Sequence, residues 1–441
     1  MSQSVAPRSV VSSDNSASTT LEKPPASLSW LMWSLGALLF LIGFFHRIAF
    51  GVMAEPLTLE FGLTATTLGT LASFYYYSYT AMQVPVGVMA DRFGPRKLLT
   101  SGALLAAIGT AIFALAPNYW MISFGRLLIG GAVAVAFVTM MKISLHWFEL
   151  KRFALLTGLG LLAGNLGAVV AGAPLQEMLE LIGWRNVMLI FAGVTGALAL
   201  ATGIWLRDDP TDLGYKSYGH THDDSVPRQS IYADLKEALS YRTVFLLTLA
   251  CGASAGSMLT FGGLWGVPFL KVAYGFTTSE AATIITVTLL VWAGCGVLLG
   301  HWSDATGKRK TPFIALALLA ATGWLVVTQI PGLPFAVLML GLLAAAMGSC
   351  IMIVGLSWAK QSVPAKLQGT ALGWCNTGVM IGPMVLQPLT GILIDLNWDG
   401  ASDGGQRIYD VSAFQAGFIP MIIWLVLAAG LVFFAKEDKS N

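Results

Sequence analysis

Twelve windows of about 20 mostly apolar residues follow one another along the chain, each of the length a helix needs to cross a bilayer core. They read as 28–54, 64–90, 97–116, 119–144, 153–176, 183–206, 243–267, 279–302, 311–330, 333–359, 368–394 and 412–435. A chain so patterned cannot build a water-soluble globule. Only 11% of its 441 residues are charged, against roughly 25% in an ordinary soluble domain, and the charges cluster between the windows. The fold class that follows is an all-α membrane protein of twelve transmembrane helices in two six-helix bundles.

Six windows precede a long polar stretch and six follow it. Residues 1–27, rich in Ser, Pro, Thr and Asn, read as a disordered tail. Residues 28–206 and 243–435 are the two bundles, 207–242 a connector between them, and 436–441 a second tail. Of the 25 Lys and Arg residues, nineteen fall in loops and tails on one side of the membrane and only Arg185, Lys271 and Arg407 on the other. Positive residues favour the cytoplasm, so both termini and the connector are expected there, in a cell (inner) membrane. A net charge of +2 offers no dense basic face for nucleic acid. The four cysteines lie in apolar runs without CxxC spacing, which excludes a disulfide framework or zinc site. A monomer in the lipid bilayer, without cofactor or metal, is expected.

The halves repeat internally. GVMADRFGPRK from Gly87 and GHWSDATGKRK from Gly300 each follow the second window of their half and share G-x-x-x-D-x-x-G with trailing basic residues. A weaker echo joins GNLGAVVAGAP from Gly164 to GVMIGPMVLQPLTG from Gly378; such glycines let helices pack closely and bend. Paired six-helix halves around a central site form a transporter architecture. The Gly87 loop, its copy, and R126-x-x-x-G130 resemble signature motifs of the major facilitator superfamily, over residues 28 to 435. The resemblance implies a cytoplasmic gate made of Gly87, Asp91, Arg92, Gly94 and Arg96 and of Gly300, Asp304, Gly307 and Arg309. Asp91, at a helix end, can accept from a neighbouring helix amino terminus and pair with Arg92 or Arg96.

Three cations remain inside the windows: Arg47, Arg126 and Lys142. Each costs about 2.5–3.5 kcal/mol at a helix centre unless a polar cavity or partner receives it. No carboxylate lies mid-helix; Glu55 and Asp395 come nearest, at outer ends. Positive groups without negative ones attract an anion. FFHRIAFGVMAEPL and FYYYSYTAMQVPVGVMADRFGPR further resemble the anion:cation symporter branch, which includes sugar-acid permeases, sialin and vesicular glutamate transporters. That resemblance implies that Arg47, Tyr79 and Arg126 hold a substrate carboxylate, for which a guanidinium fork is suited. Arg126 can instead bridge helices through backbone carbonyls, and Lys142 can line the cavity or snorkel to headgroups.

Branch members commonly carry acids where this chain has His46 and Val133. His46 is then the proton-coupling candidate, since an imidazole titrates near neutral pH; the other reading is a histidine hydrogen-bonded at the outer interface. Gln83, one turn from Tyr79, together with Asn165, Trp374, Asn376 and Thr377, are candidates to meet substrate hydroxyls. The expected function is alternating-access transport of a small organic anion such as a sugar acid, as proton-coupled symport. Exchange of phosphate esters, transport of drugs or peptides, and a receptor or channel on the same fold are the alternatives. No Ser/His/Asp set, phosphate-cradling glycine loop or metal cluster points to an enzyme.

Overall fold

A computed structural model describes residues 22–219, 231–306 and 308–435. Of the expected tail, 1–27, residues 1–21 lie outside the described residues, and helix already begins at Ala26; residues 436–441 lie outside them as well. Among the described residues, eleven helices are long and apolar enough to cross a membrane. One of them, Ala65–Leu115, has 51 residues, about 76 Å at 1.5 Å per residue, more than twice a hydrocarbon core of about 30 Å. It is two spans, broken at Gly94, whose φ of 79° only glycine adopts without strain. The twelve expected spans are therefore all present.

In chain order the first span is Ala26–Val52, and the second and third divide Ala65–Leu115. The fourth is Tyr119–Trp147, the fifth Leu150–Val170, and the sixth Ala173–Trp205, which turns at Gly183. The seventh is Arg242–Tyr274, the eighth Thr278–Thr306, the ninth Lys310–Gln329, the tenth Phe335–Gln361, the eleventh Gln368–Leu396 and the twelfth Val411–Phe433. Several start on side-chain caps: Thr64 accepts from Thr67 N, Asn118 from Met121 N and Asp410 from Ala413 N, each satisfying a backbone donor that the helix leaves open.

The two glycine echoes serve equivalent joints. A Cβ at Gly167 of the fifth span would stand 2.1 Å from Leu41 O of the first, and one at Gly378 of the eleventh would stand 2.1 Å from Thr248 O of the seventh. These glycines seat the fifth span on the first and the eleventh on the seventh, so they bind spans within each half.

The connector contains two elements that the apolar pattern does not reveal. Residues 208–219 dock on the first half, and helix Ile231–Ser240 docks on the second. Trp374 donates from Nε1 to Leu235 O at 3.0 Å, and Lys366 pairs with Glu237 at 2.9 Å. Near the far end of the bundle a short hairpin pairs Ser402–Asp403 with Gln406–Arg407.

Candidate functional site

Arg47 on the first span and Arg126 on the fourth are buried, 5% and 2% exposed, and among the described residues neither has a carboxylate partner. Aromatic rings receive them instead. Arg126 Cζ lies 4.6 Å from the Phe50 ring centroid and 4.9 Å from that of Tyr75. Arg47 Cζ lies 4.6 Å from Phe44, 5.2 Å from Tyr79 and 5.8 Å from Tyr75. Tyr75 is the shared ring; its hydroxyl donates to Gly43 O at 3.0 Å and it stacks on Tyr79. A cation over a desolvated ring face gains about 2 kcal/mol, so these contacts offset much of the cost of two buried charges.

Gly130 makes this arrangement possible. A Cβ there would lie 2.1 Å from Tyr75 O, so glycine lets the fourth span close on the second one turn beyond Arg126. Arg126 donates from Nη1 to His46 O at 2.7 Å, the carbonyl bridge anticipated as one of its two roles, while its Nε and that of Arg47 are buried without partners. The His46 ring points to the third span, where Nε2 lies 3.2 Å from Thr110 Oγ1. Thr110 gives its proton to Ala106 O at 2.7 Å, so its oxygen accepts from Nε2–H and His46 Nδ1 is left unpartnered.

The remaining candidates divide. Gln83 and Asn376 meet across the halves, Asn376 Nδ2 donating to Gln83 Oε1 at 3.1 Å. Asn165 is half-buried on the fifth span. Trp374 is turned to the connector helix, and Thr377 donates to Gly373 O of its own helix at 2.9 Å. Tyr75, Phe44 and Phe50 surround the two guanidiniums although the sequence pattern does not mark them as site residues. Only the i, i+4 spacing of Tyr75 and Tyr79 hinted at their common face.

Two expectations need correction. Lys142 neither lines the cavity nor snorkels: it pairs with Asp91 Oδ1 at 2.8 Å and donates to Ala90 O at 2.7 Å, tying the fourth span to the end of the second. Asp91 therefore pairs with Lys142, not with Arg92 or Arg96. Arg92 is exposed and leans over Phe93. Arg96 donates from Nη2 to Gly203 O at 2.6 Å, and its backbone N–H donates to Asp208 Oδ1 at 2.6 Å. A Cβ at Gly94 would strike that same Asp208 carboxylate, whereas Gly87 faces open space. In the second half Gly300 lies in the eighth span, and buried Arg309 donates to Ser303 Oγ at 2.6 Å. Gly307, and the Asp304 side chain, lie outside the described residues.

The halves are clasped at the end away from the connector. Asp395, on the eleventh span, accepts from Thr66 N at 2.8 Å, and the Tyr409 hydroxyl accepts from Ala65 N at 3.0 Å while donating to Asp395. Residues of the second half thus cap the amino terminus of the second span. Arg407 pairs with Asp395 at 3.1 Å, and Lys271 pairs with Glu55. Burial and then the Asp395 carboxylate push the Tyr409 phenol up to about 12, which keeps it a donor. Beneath the clasp a cavity of about 370 Å³ is lined by Glu55, Lys271, Trp265, Arg407 and Tyr409. Its cations are already paired, unlike Arg47 and Arg126.

The Major Facilitator Superfamily model matches residues 35–327 and 251–441. The chain belongs to the Major Facilitator Superfamily. It is therefore a multi-pass membrane transporter of that superfamily and not an enzyme. Among its superfamily relatives, the "Probable sulfoacetate transporter" of Cupriavidus necator is 24% identical, covering 81% of this chain and 85% of that one. The "Probable L-galactonate transporter" of Escherichia coli K12 is also 24% identical, over 80% of each chain. A bacterial homologue of the human lysosomal transporter Spinster, solved in an inward-facing and unoccupied conformation, superposes with a TM-score of 0.74 at 17% identity, covering 93% of this chain and 98% of that one.

Proposed function

We propose that this superfamily member carries a small organic anion, such as a sugar acid, across the membrane by alternating access, with Arg47 and Arg126 gripping its carboxylate. One observation carries the reading: among the described residues these two guanidiniums are buried without acids, whereas Glu55, Glu60, Asp91 and Asp395 are each taken by a cation, Lys271, Arg185, Lys142 and Arg407. A fixed, desolvated pair of forks binds a carboxylate bidentately. Relatives named for sulfoacetate and L-galactonate support an anionic cargo. Tyr79, Gln83, Asn165 and Asn376 line the path of the cargo between the halves. The clasp at the far end supports a state open on the connector side. The basic residues at that end support its being cytoplasmic, with both termini, in the cell membrane.

Uptake is proton-coupled symport in this reading, with His46 as proton carrier: an anion that neutralises Arg126 and Arg47 raises the ring's proton affinity. The test is uptake of labelled anions by the full chain in proteoliposomes. Arg47→Ala abolishes transport while the protein still inserts, and Arg47→Lys restores little, because an ammonium lacks the fork. Unchanged uptake by Arg47→Ala would remove Arg47 from the site.

A further inference from the structure

We infer that the cargo is a dianion, whose two negative charges match the two guanidinium charges of the site. The inference rests on the anion-carrier reading above and extends it by charge arithmetic. Arg47 and Arg126 share the Tyr75 ring, at 5.8 and 4.9 Å from their Cζ atoms, so they belong to one site. Both are permanently charged, and the empty site therefore holds two positive charges with no acid beside them. His46 adds no negative charge, and position 133, about two turns beyond Arg126, is the apolar Val133. Rings surround both guanidiniums (Phe44, Tyr75 and Tyr79 about Arg47; Phe50 and Tyr75 about Arg126). Their N–H groups, which lie in the guanidinium plane, are what an anion would meet.

A monoanion would leave one buried cation uncompensated when the halves close over it, and an uncompensated charge in low dielectric is the costly state. A dianion cancels both guanidinium charges, so the closed site keeps only the proton that His46 carries, whereas a monoanion leaves one positive charge more. Cation–π contacts soften each charge but supply no counter-ion, so they do not remove the preference. The relatives named above include both classes: sulfoacetate, with a carboxylate and a sulfonate, is doubly charged, and L-galactonate singly charged. Their names therefore do not decide the matter, and the charge of this site does.

The experiment compares isosteric probes on the purified full chain at one pH and ionic strength: succinate, its half-amide succinamate, and succinamide, with tartrate and its monomethyl ester as a second series. Binding is read by thermal shift and titration. Succinate and tartrate should bind about tenfold or more tighter than their singly charged isosteres, tenfold being 1.4 kcal/mol. Arg47→Gln should abolish that ratio, and Arg126→Lys, which keeps the charge, should retain it. If Arg47→Gln fails to fold, the wild-type ratio alone decides. Equal binding of the singly and doubly charged isosteres, or a ratio that Arg47→Gln leaves intact, overturns the dianion inference while the anion-carrier reading stands. No stabilisation by any of the anions overturns both.

Discussion

At the scale of single residues, function turns on how a membrane protein stabilises charge that it does not pair. Lys142 and Arg126 are on one span, yet one has a carboxylate within 2.8 Å and the other has rings and a carbonyl. Sequence spacing could not separate them, because Asp91 approaches Lys142 only through the packing of two spans. His46 illustrates the same limit. Its neighbour Arg47 suggests a cavity position, but on a helix adjacent residues point about 100° apart, and the ring goes to Thr110. If His46 carries the coupled proton, His46→Gln should lose pH-gradient-driven accumulation several-fold while counterflow exchange persists. Equal loss of both in proteoliposomes would mean that His46 only holds the first span against the third.

Elements show how the state of the transporter is set. The second span begins at a clasp built from the other half: Asp395 and Tyr409 satisfy Thr66 N and Ala65 N, donors that an isolated helix leaves open and that favour negative charge. The same span ends at Asp91 and Gly94, held by Lys142 of its own half and by Asp208 of the connector. One end is therefore tied across the halves by the clasp, while toward the other end the halves meet through the Asn376–Gln83 hydrogen bond. Asp395→Asn removes a charge-assisted bond worth about 1.5–3 kcal/mol. It should raise labelling of a Thr58→Cys reporter in the far-end cavity by an impermeant maleimide about tenfold or more. Labelling at the wild-type rate would show that Lys271 and Glu55 suffice to hold that end shut. None of these links was legible beforehand, since Asp395 and Tyr409 are more than 320 residues from their partners.

Across the whole molecule, the connector links both halves by docking on each. His146 Nδ1 lies 2.6 Å from Asp209 Oδ2, and Asp209 also accepts from Ser217 and Thr211. Burial pushes the Asp209 carboxyl up, but the bonds from His146, Ser217 and Thr211 outweigh it and hold it at about 2 instead of 3.8. A depressed carboxyl stabilises above its unfolded value, so this docking is complete above about pH 4 and is lost as pH falls through about 2. Asp209→Ala should free the segment and speed limited trypsin cleavage at the already exposed Lys216 at neutral pH; an unchanged cleavage rate would mean that Asp208 and Arg96 suffice to anchor the segment. Twelve apolar windows, the repeated Gly-Asp-Gly frame and the charge asymmetry determined the spans, the two halves and the superfamily from sequence alone, because a bilayer imposes length and hydropathy locally. Partners were another matter. Which cation met an acid and which met a ring, and which end closed, depended on helices brought together from distant parts of the chain, and only the tertiary structure decided them.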